Sequence, residues 1–138
     1  MRSVSSVMTA VPVTLREGEK LAAAARAMRD NAVGAIMVVR DGQLRGLLTD
    51  RDIVVRGLTN GRDPADLTLG EVCSPDPVTV RPDDDLDMVI RLMRERAVRR
   101  IPVVEDGEPV GLVSLGDLAI ERDERVALAA ICAAPPSA

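Results

Sequence analysis

An internal duplication constrains this chain more than any other feature. When the sequence is shifted by 65 residues against itself, positions 7–55 align with positions 72–120 without a gap, and 19 of the 49 aligned positions are identical. Chance would give about three identities, so the match indicates two copies of one structural unit. A unit of about 50 residues is too small to cover both faces of a sheet, and we therefore expect the copies to pack sheet to sheet.

Each copy has the hydrophobic periodicity of a strand, a helix, two strands and a second helix. The elements predicted in the first copy are a strand at 13–15, a helix at 21–32, strands at 35–39 and 45–49 joined by Asp41-Gly42, and a helix at 50–58. The second copy repeats this order, with the Asp106-Gly107 turn between its last two strands and a final helix at 115–122. The predicted fold class is α+β, with two pseudo-symmetric β-α-β-β-α repeats.

The predicted domain boundaries follow the duplication. Residues 1–60 form repeat 1, residues 61–71 a linker, residues 72–122 repeat 2, and residues 123–138 a C-terminal helical extension and tail. Gly, Asn, Asp and Pro are frequent at 59–64, which is typical of a surface connection. The apolar spacing at 124–132 favours an extension of the last helix.

One short motif occurs at the same place in both copies. Its pattern is Gly, two apolar residues, a hydroxyl, two variable residues and Asp, and it ends in Thr49 and Asp52 in repeat 1 and in Ser114 and Asp117 in repeat 2. The hydroxyl falls at a predicted helix N-cap with the Asp three residues later, which is the pattern of a capping box. The same corner could instead bind a phosphate at the helix N-terminus and a ribose on the carboxylate. Both interpretations remain open at this point.

Composition excludes several classes of function. The net charge is -4 and the pI is about 4.9, which argues against a nucleic-acid surface. No apolar run has the length of a membrane span or the character of a signal peptide, so we expect a cytoplasmic protein. There is no Phe, Trp or Tyr, and therefore no ring to stack on a base.

Catalytic chemistry is not expected either. The chain has no histidine and only two cysteines, Cys73 and Cys132, without a CxxC spacing. A nucleophile–histidine pair is therefore impossible, and a standard zinc site would need carboxylates to complete it. We predict no catalytic residues and no metal site. Cys73 aligns with Met8, which suggests an apolar position and an unreactive thiol rather than a redox sensor.

Two longer stretches carry a resemblance to a known family. They are "AVGAIMVVRDGQLRGLLTDRDIV" in repeat 1 and "AVRRIPVVEDGEPVGLVSLGDL" in repeat 2. With the order of elements, they resemble a tandem pair of CBS domains, the regulatory repeats first named for cystathionine β-synthase. The resemblance extends over residues 1 to about 122. The chain is similar to stand-alone bacterial CBS pairs, including the hypoxic-response kind of actinobacteria.

The resemblance implies two pseudo-symmetric adenosine sites in a cleft between the repeats. Each would combine the carboxylate and hydroxyl of one repeat with apolar walls from the other. The implied ligand-binding residues are Asp117, Ser114, Arg99, Arg100, Leu112, Val13 and Val33 for one site, and Asp52, Thr49, Arg51, Leu47, Val78 and Val98 for the other.

The two implied sites are unequal. Repeat 2 carries Arg99-Arg100 where the family has phosphate-contacting basic residues, and repeat 1 has Gly34-Ala35 there. Between the hydroxyl and the Asp, the difference in charge partly reverses, because repeat 1 has the cation Arg51 where repeat 2 has Gly116. Met37 stands where repeat 2 has the family's proline. The pair Arg99-Arg100 could also be an ordinary solvated surface pair.

Two hypotheses of function follow. The first is a non-catalytic regulatory module that binds AMP, ADP, ATP or a related adenosyl ligand such as S-adenosylmethionine, most strongly at the Asp117 site, with no required cofactor. The second is a ligand-free structural or interaction protein, serving an unknown protein partner, whose corners are only capping boxes. Both hypotheses include a homodimer, because the helices around Val54-Val55 and Leu118–Ile120 look too apolar to stay exposed to water.

Overall fold

The structure, a computed structural model, describes residues 2–10 and 13–122. Its elements in chain order are a 3₁₀ turn (Val4–Ser6), β1 (Thr9–Ala10), β2 (Thr14–Arg16), α1 (Leu21–Asn31), β3 (Ala35–Arg40), β4 (Gln43–Thr49), α2 (Asp50–Asp52) with a π-helical turn (Ile53–Gly57), a 3₁₀ turn (Pro64–Asp66), α3 (Leu69–Val72), β5 (Ser74–Pro75), α4 (Leu86–Arg96), β6 (Arg100–Glu105), β7 (Glu108–Ser114) and α5 (Leu115–Arg122). This is the predicted α+β fold. The predicted C-terminal extension lies outside the described residues.

The chain divides into two compact units that do not coincide with the repeats. One unit is Val13–Pro77, and we call it the first-repeat unit; the other combines Met1–Pro12 with the chain from Val78 onward, and we call it the second-repeat unit. The segment that opens each repeat therefore belongs to the unit built on the other repeat. We name these segments arm 1 (Ser3–Ala10) and arm 2 (Thr68–Pro75), which correspond under the 65-residue shift.

The first-repeat unit contains a four-stranded sheet in the order β2-β3-β4-β5. Strands β3 and β4 form the predicted hairpin, and Asp41 and Gly42 at its turn have the positive φ angles that such turns require. β2 lies parallel to β3, and β5 of arm 2 lies antiparallel to β4. The buried core of this unit consists of Leu21, Ala24, Met28, Ile36, Val38, Leu48, Leu67, Leu69, Val72 and Cys73.

The second-repeat unit contains a three-stranded sheet in the order β1-β7-β6. Arm 1 supplies β1, which lies antiparallel to β7, and β6–β7 is the hairpin equivalent to β3–β4. The predicted strand near Val78 is reduced to one isolated parallel bridge between Val80 and Val103. The buried core consists of Val4, Val80, Leu86, Val89, Met93, Ile101, Val103, Val113 and Leu118.

Local structure departs from the sequence interpretation at four places. The helix after β4 is α-helical only to Asp52 and continues as a π-helical turn. The acidic run at 83–85 is the pattern of a helix start with acidic residues in its first turn, but α4 begins after its N-cap Asp85, so Asp83 and Asp84 lie before the helix. Leu118, which the sequence suggested as part of a dimer contact, is buried in the core of the second-repeat unit. The segment predicted as a linker contributes Leu67 and Leu69 to the core of the first-repeat unit.

Two further features of the described residues concern membrane-spanning helices and the thiol of Cys73. No helix within the described ranges has both the length and the apolar composition needed to cross a membrane. The free thiol of Cys73 is buried, and burial raises the pKa of the Cys73 thiol above its ordinary value. A raised pKa keeps this sulfur in the unreactive neutral form, as its apolar position predicted.

Candidate functional site

The candidate site is the corner where a long strand of each unit runs into a helix. In the first-repeat unit the amide of Asp52 donates to Thr49 Oγ1 over 3.1 Å, and the amide of Thr49 donates to Asp52 Oδ2 over 2.9 Å. In the second-repeat unit the amide of Asp117 donates to Ser114 Oγ over 3.1 Å, and the amide of Ser114 donates to Asp117 Oδ2 over 3.0 Å. Both corners are therefore capping boxes, as the sequence pattern predicted.

The capping boxes leave part of each carboxylate available. An ionised carboxylate has two oxygens with about four lone-pair sites, and the capping box uses one oxygen. Asp52 and Asp117 are both half-buried, so each is fixed by the corner but still reaches the surface. The capping and ligand-binding interpretations are therefore compatible, because Oδ2 can hold the backbone while Oδ1 accepts a hydroxyl.

Backbone hydrogen bonds fix each corner to the start of the neighbouring strand. In the second-repeat unit the amide of Leu115 donates to the carbonyl of Arg99 over 2.8 Å, and Arg100 is the strand partner of Ser114. In the first-repeat unit the equivalent bond joins the amide of Asp50 to the carbonyl of Gly34 over 3.1 Å. The structure thus places Arg99, Arg100, Ser114 and the start of α5 together.

The charges at the two corners differ. Arg99 is exposed and Arg100 is half-buried, and among the described residues neither guanidinium forms an ion pair or a hydrogen bond. The first-repeat corner has Gly34 and Ala35 at these positions, and its added cation is the exposed Arg51 in the first turn of α2. The second-repeat corner therefore has two cations beside the N-terminus of an eight-residue helix, where the backbone also favours an anion.

The apolar candidates are half-buried in their own units. Those in the first-repeat unit are Val13, Val33 and Leu47, and those in the second-repeat unit are Val78, Val98 and Leu112. Val13 and Val33 pack against the core of the first-repeat unit, and Val98 packs against the core of the second. The implied pairing of the walls of one repeat with the carboxylate of the other stays a prediction.

Sequence reasoning included Gly46 and Gly111 in the recurring motif but gave them no role. A Cβ on Gly46 would lie 2.5 Å from Cys73 Sγ and 2.7 Å from the carbonyl oxygen of Ser74. A Cβ on Gly111 would lie 2.6 Å from Met8 Sδ. Because these glycines have no side chain, arm 2 can pack closely against β4 and arm 1 against β7, just before the two corners. The recurring Gly in the motif was visible, but its reason required the three-dimensional packing.

Comparison with known proteins identifies the class. The family model described as "CBS domain" matches residues 4–57 and again residues 69–123. The chain belongs to the CBS domain family and contains two such domains. The family is regulatory in general, and no enzyme family is indicated.

Individual relatives agree with this assignment. The chain is 39% identical over 122 residues to the CBS domain-containing protein YhcV of Bacillus subtilis, covering 88% of this chain and 86% of the relative. It is 35% identical over 120 residues to hypoxic response protein 1 of Mycobacterium tuberculosis, covering 86% of this chain and 84% of the relative. The actinobacterial hypoxic-response type that the sequence suggested is thus a true relative.

Solved structures share the fold. A crystal structure of hypoxic response protein I with two coordinated zinc ions superposes with a TM-score of 0.79 at 35% identity, covering 88% of this chain and 100% of that one. The cytosolic domain of the Mg2+ channel MgtE in complex with ATP gives 0.72 at 33% identity, covering 84% of this chain and 47% of that one. In the described part of the present chain, no three His, Cys, Asp or Glu side chains are grouped to hold a metal.

Proposed function

We propose that this protein is a regulatory module that binds an adenine nucleotide or a related adenosyl ligand, with the tighter site at the Ser114–Asp117 corner. The observation that carries the proposal is the position of Arg99 and Arg100 next to this corner, without acidic partners among the described residues. Two neighbouring guanidiniums match the charge of a phosphate. The ATP complex of the related MgtE domain supports the ligand class.

Each group has a separate role in the proposed site. Asp117 accepts ribose hydroxyls on the oxygen that the capping box does not use, and Ser114 and the start of α5 lie beside the phosphate. Arg99 and Arg100 neutralise the phosphate charge. The walls, Val13 and Val33 with Leu112, enclose the adenine. The second site would use Asp52, Thr49, Arg51, Leu47, Val78 and Val98, and would bind more weakly because the arginine pair is absent there.

Regulation by such a site requires a difference in affinity between two states of the protein. We propose that the module acts as a cytoplasmic homodimer, because Val54, Val55 and Leu58 are 58%, 49% and 60% exposed on and just after one helical turn of the first-repeat unit. Burial of these side chains in a two-fold contact would be favourable. Light scattering should give twice the monomer mass of 14.7 kDa at micromolar concentration, whereas Val54→Asp should shift it toward the monomer.

Asp117→Asn in the full chain tests the ribose role. We expect nucleotide affinity in calorimetry to fall about 5- to 150-fold, the equivalent of roughly 1–3 kcal/mol for hydrogen bonds to a charged group. The apo melting temperature should change little, because Asn keeps an oxygen for the amide of Ser114. Asp106→Asn is the matched control, since it removes the same charge at an exposed turn. A lower melting temperature with unchanged affinity would show that the corner is only a cap.

Arg100→Ala tests the phosphate role. It should weaken AMP more than adenosine, because only AMP carries the charge that the guanidinium complements. Asp52→Asn should cost less affinity than Asp117→Asn if the second-repeat corner holds the tighter site. Equal losses for AMP and adenosine would remove Arg100 from the phosphate site.

A ligand-free interaction protein is the second candidate, and the two complete capping boxes are the observation that favours it. Calorimetry with AMP, ADP, ATP and S-adenosylmethionine separates the candidates. The absence of heat with all four, together with a stable dimer, would establish the second one.

A further inference from the structure

The connection between the π-helical turn and arm 2 contains an exposed Asn-Gly pair. The chain has two asparagines, Asn31 and Asn60, and only Asn60 is followed by glycine. Asn60 and Gly61 are both exposed. Gly61 has a φ of +84°, and nothing lies within 4 Å of the position that a Cβ would take there. The peptide bond between the two residues is therefore open to water on the glycine side.

The side chain of Asn60 is held over the backbone that follows it. The amide of Arg62 donates to Asn60 Oδ1 over 3.0 Å, which is the hydrogen bond of an Asx turn. The ring that this bond closes contains both Cγ of Asn60 and the amide nitrogen of Gly61, so these two atoms stay near each other. The bond also withdraws electron density from the side-chain carbonyl. Cγ of Asn60 is therefore both close to a nitrogen and open to attack by it.

The amide of Gly61 is available for such an attack. Within residues 2–10 and 13–122, no hydrogen bond from this amide is found. An amide without an acceptor in the protein can give its proton to solvent. Glycine has no side chain to hinder the approach of its nitrogen to the carbonyl carbon.

We propose that Asn60 is a site of spontaneous deamidation. The amide nitrogen of Gly61 loses its proton to solvent and forms a bond to Cγ of Asn60. The Cγ–Nδ2 bond breaks, and the leaving nitrogen takes a proton from water and departs as ammonia. Water then opens the resulting succinimide at either carbonyl, which gives aspartate or isoaspartate at position 60. Water is the only co-reactant, and neither proposed nucleotide site takes part.

Asn31 provides a control within the same chain. It is the last residue of α1, and its Nδ2 donates to the carbonyl of Ala27 over 2.8 Å. The amide that follows it belongs to Ala32 and donates to the carbonyl of Arg29 over 3.4 Å. A bonded amide keeps its proton, and the methyl group of Ala32 hinders the attack. Asn31 should therefore keep its side-chain amide.

The product at position 60 acts on an anchor of arm 2. Nη1 of Arg62 lies 3.3 Å from Oε1 of Glu71, and Glu71 forms a capping box with Thr68. Lys20 also attracts the Glu71 carboxylate. A new carboxylate beside the backbone of Arg62 competes with Glu71 for the guanidinium and repels the Glu71 carboxylate. Both effects favour the protonated form of Glu71.

Mass spectrometry of the full chain, incubated at physiological pH and temperature, tests the modification. We expect the mass gain of an amide replaced by a carboxylate, and peptide mapping should place it at position 60 as both aspartate and isoaspartate. Asn60→Gln should abolish the gain, because its longer side chain does not form the five-membered ring. Gly61→Ala should slow it, because a Cβ then hinders the nitrogen. The proposal is overturned if Asn60 keeps its amide, or if Asn31 reacts as fast.

Titration of Glu71 by NMR tests the effect on arm 2. Asn60→Asp carries the new charge without altering the path of the backbone, and it should raise the pKa of Glu71 above that of the unsubstituted protein. Asn60→Gln is the matched control, since it changes the side chain without adding charge, and it should leave the Glu71 titration where it is. An equal pKa of Glu71 in Asn60→Asp and Asn60→Gln would overturn the competition for Arg62.

Discussion

At the scale of single residues, Gly46 and Gly111 show how the absence of a side chain can determine a fold. Each sits in the strand that leads to a candidate corner, and each lies against the sulfur of the residue at the same place in an arm. The close approach leaves no room for a methyl group. We expect this contact, and not the glycine's backbone freedom, to be the reason for glycine at these two positions.

Gly46→Ala should destabilise the protein by about 1–3 kcal/mol, the usual cost of overpacking a filled site. The new Cβ would lie 2.7 Å from the backbone oxygen of Ser74, so adding Cys73→Ala should restore only part of the loss. Urea unfolding provides the measurement. Gly18→Ala is the control, because nothing lies within 4 Å of a Cβ there. Similar losses at both positions would contradict a role for the contact.

Ala32 and Ala97 are a second case at this scale. Each follows a helix in the left-handed conformation, with φ of 53°, which costs an L-residue roughly 1–2 kcal/mol. Glycine avoids that cost but loses about 0.5–1 kcal/mol of its own in conformational entropy. Ala32→Gly and Ala97→Gly should each stabilise the protein by about 0.5–1 kcal/mol in urea unfolding. Ala25→Gly, inside α1 and exposed, should destabilise it by about 1 kcal/mol.

At the scale of elements, the sequence predicted the helices, strands and turns that local periodicity defines, and it missed the features that depend on packing. The β3–β4 and β6–β7 hairpins, helices α1 and α4 and both capping boxes follow from alternation, helical spacing and the Asp-Gly turns. The packing of each arm in the unit built on the other repeat could not be predicted, because the apolar pattern around Val4 or Leu69 is the same whichever repeat buries it. The π-helical turn after Asp52 also gave no signal, although Gly57 there lets the turn approach Leu21.

The stability that arm 2 gives to the fold should depend on pH. In this arm Thr68 and Glu71 form a capping box, and Arg62 lies 3.3 Å from Glu71. The hydrogen bond from the amide of Thr68, and then Arg62 nearby, lower the pKa of Glu71 below its ordinary value. A carboxylate with a lowered folded pKa stabilises the fold above its unfolded pKa, and this contribution is lost as pH falls through the folded value. Between pH 7 and pH 3, Glu71→Gln should therefore lose less stability in urea unfolding than the unsubstituted protein. Parallel curves for the two proteins would contradict the assignment.

At the scale of the whole molecule, ligand binding should raise the free energy of unfolding and the melting temperature. A ligand that binds only the folded state stabilises it by about 2.7 kcal/mol at a hundredfold excess over Kd, which shifts Tm by several degrees for a chain of this size. The chain has no Trp or Tyr, so an absorbance peak near 260 nm in the purified protein would reveal nucleotide carried through purification. We expect AMP, ADP or ATP to raise Tm at millimolar concentration, and Asp117→Asn to reduce the shift. An unchanged Tm with all three would count against the proposed function.

The division of the chain into units also has a consequence for its synthesis. The first-repeat unit is one continuous stretch, Val13–Pro77, and can fold once that stretch has left the ribosome. Arm 1 is made earlier than any of it, yet its strand partner β7 ends only at Ser114. At about 5–20 residues per second, arm 1 would wait roughly two to seven seconds after Pro77 is added. During that interval arm 1 is still without its strand partner β7.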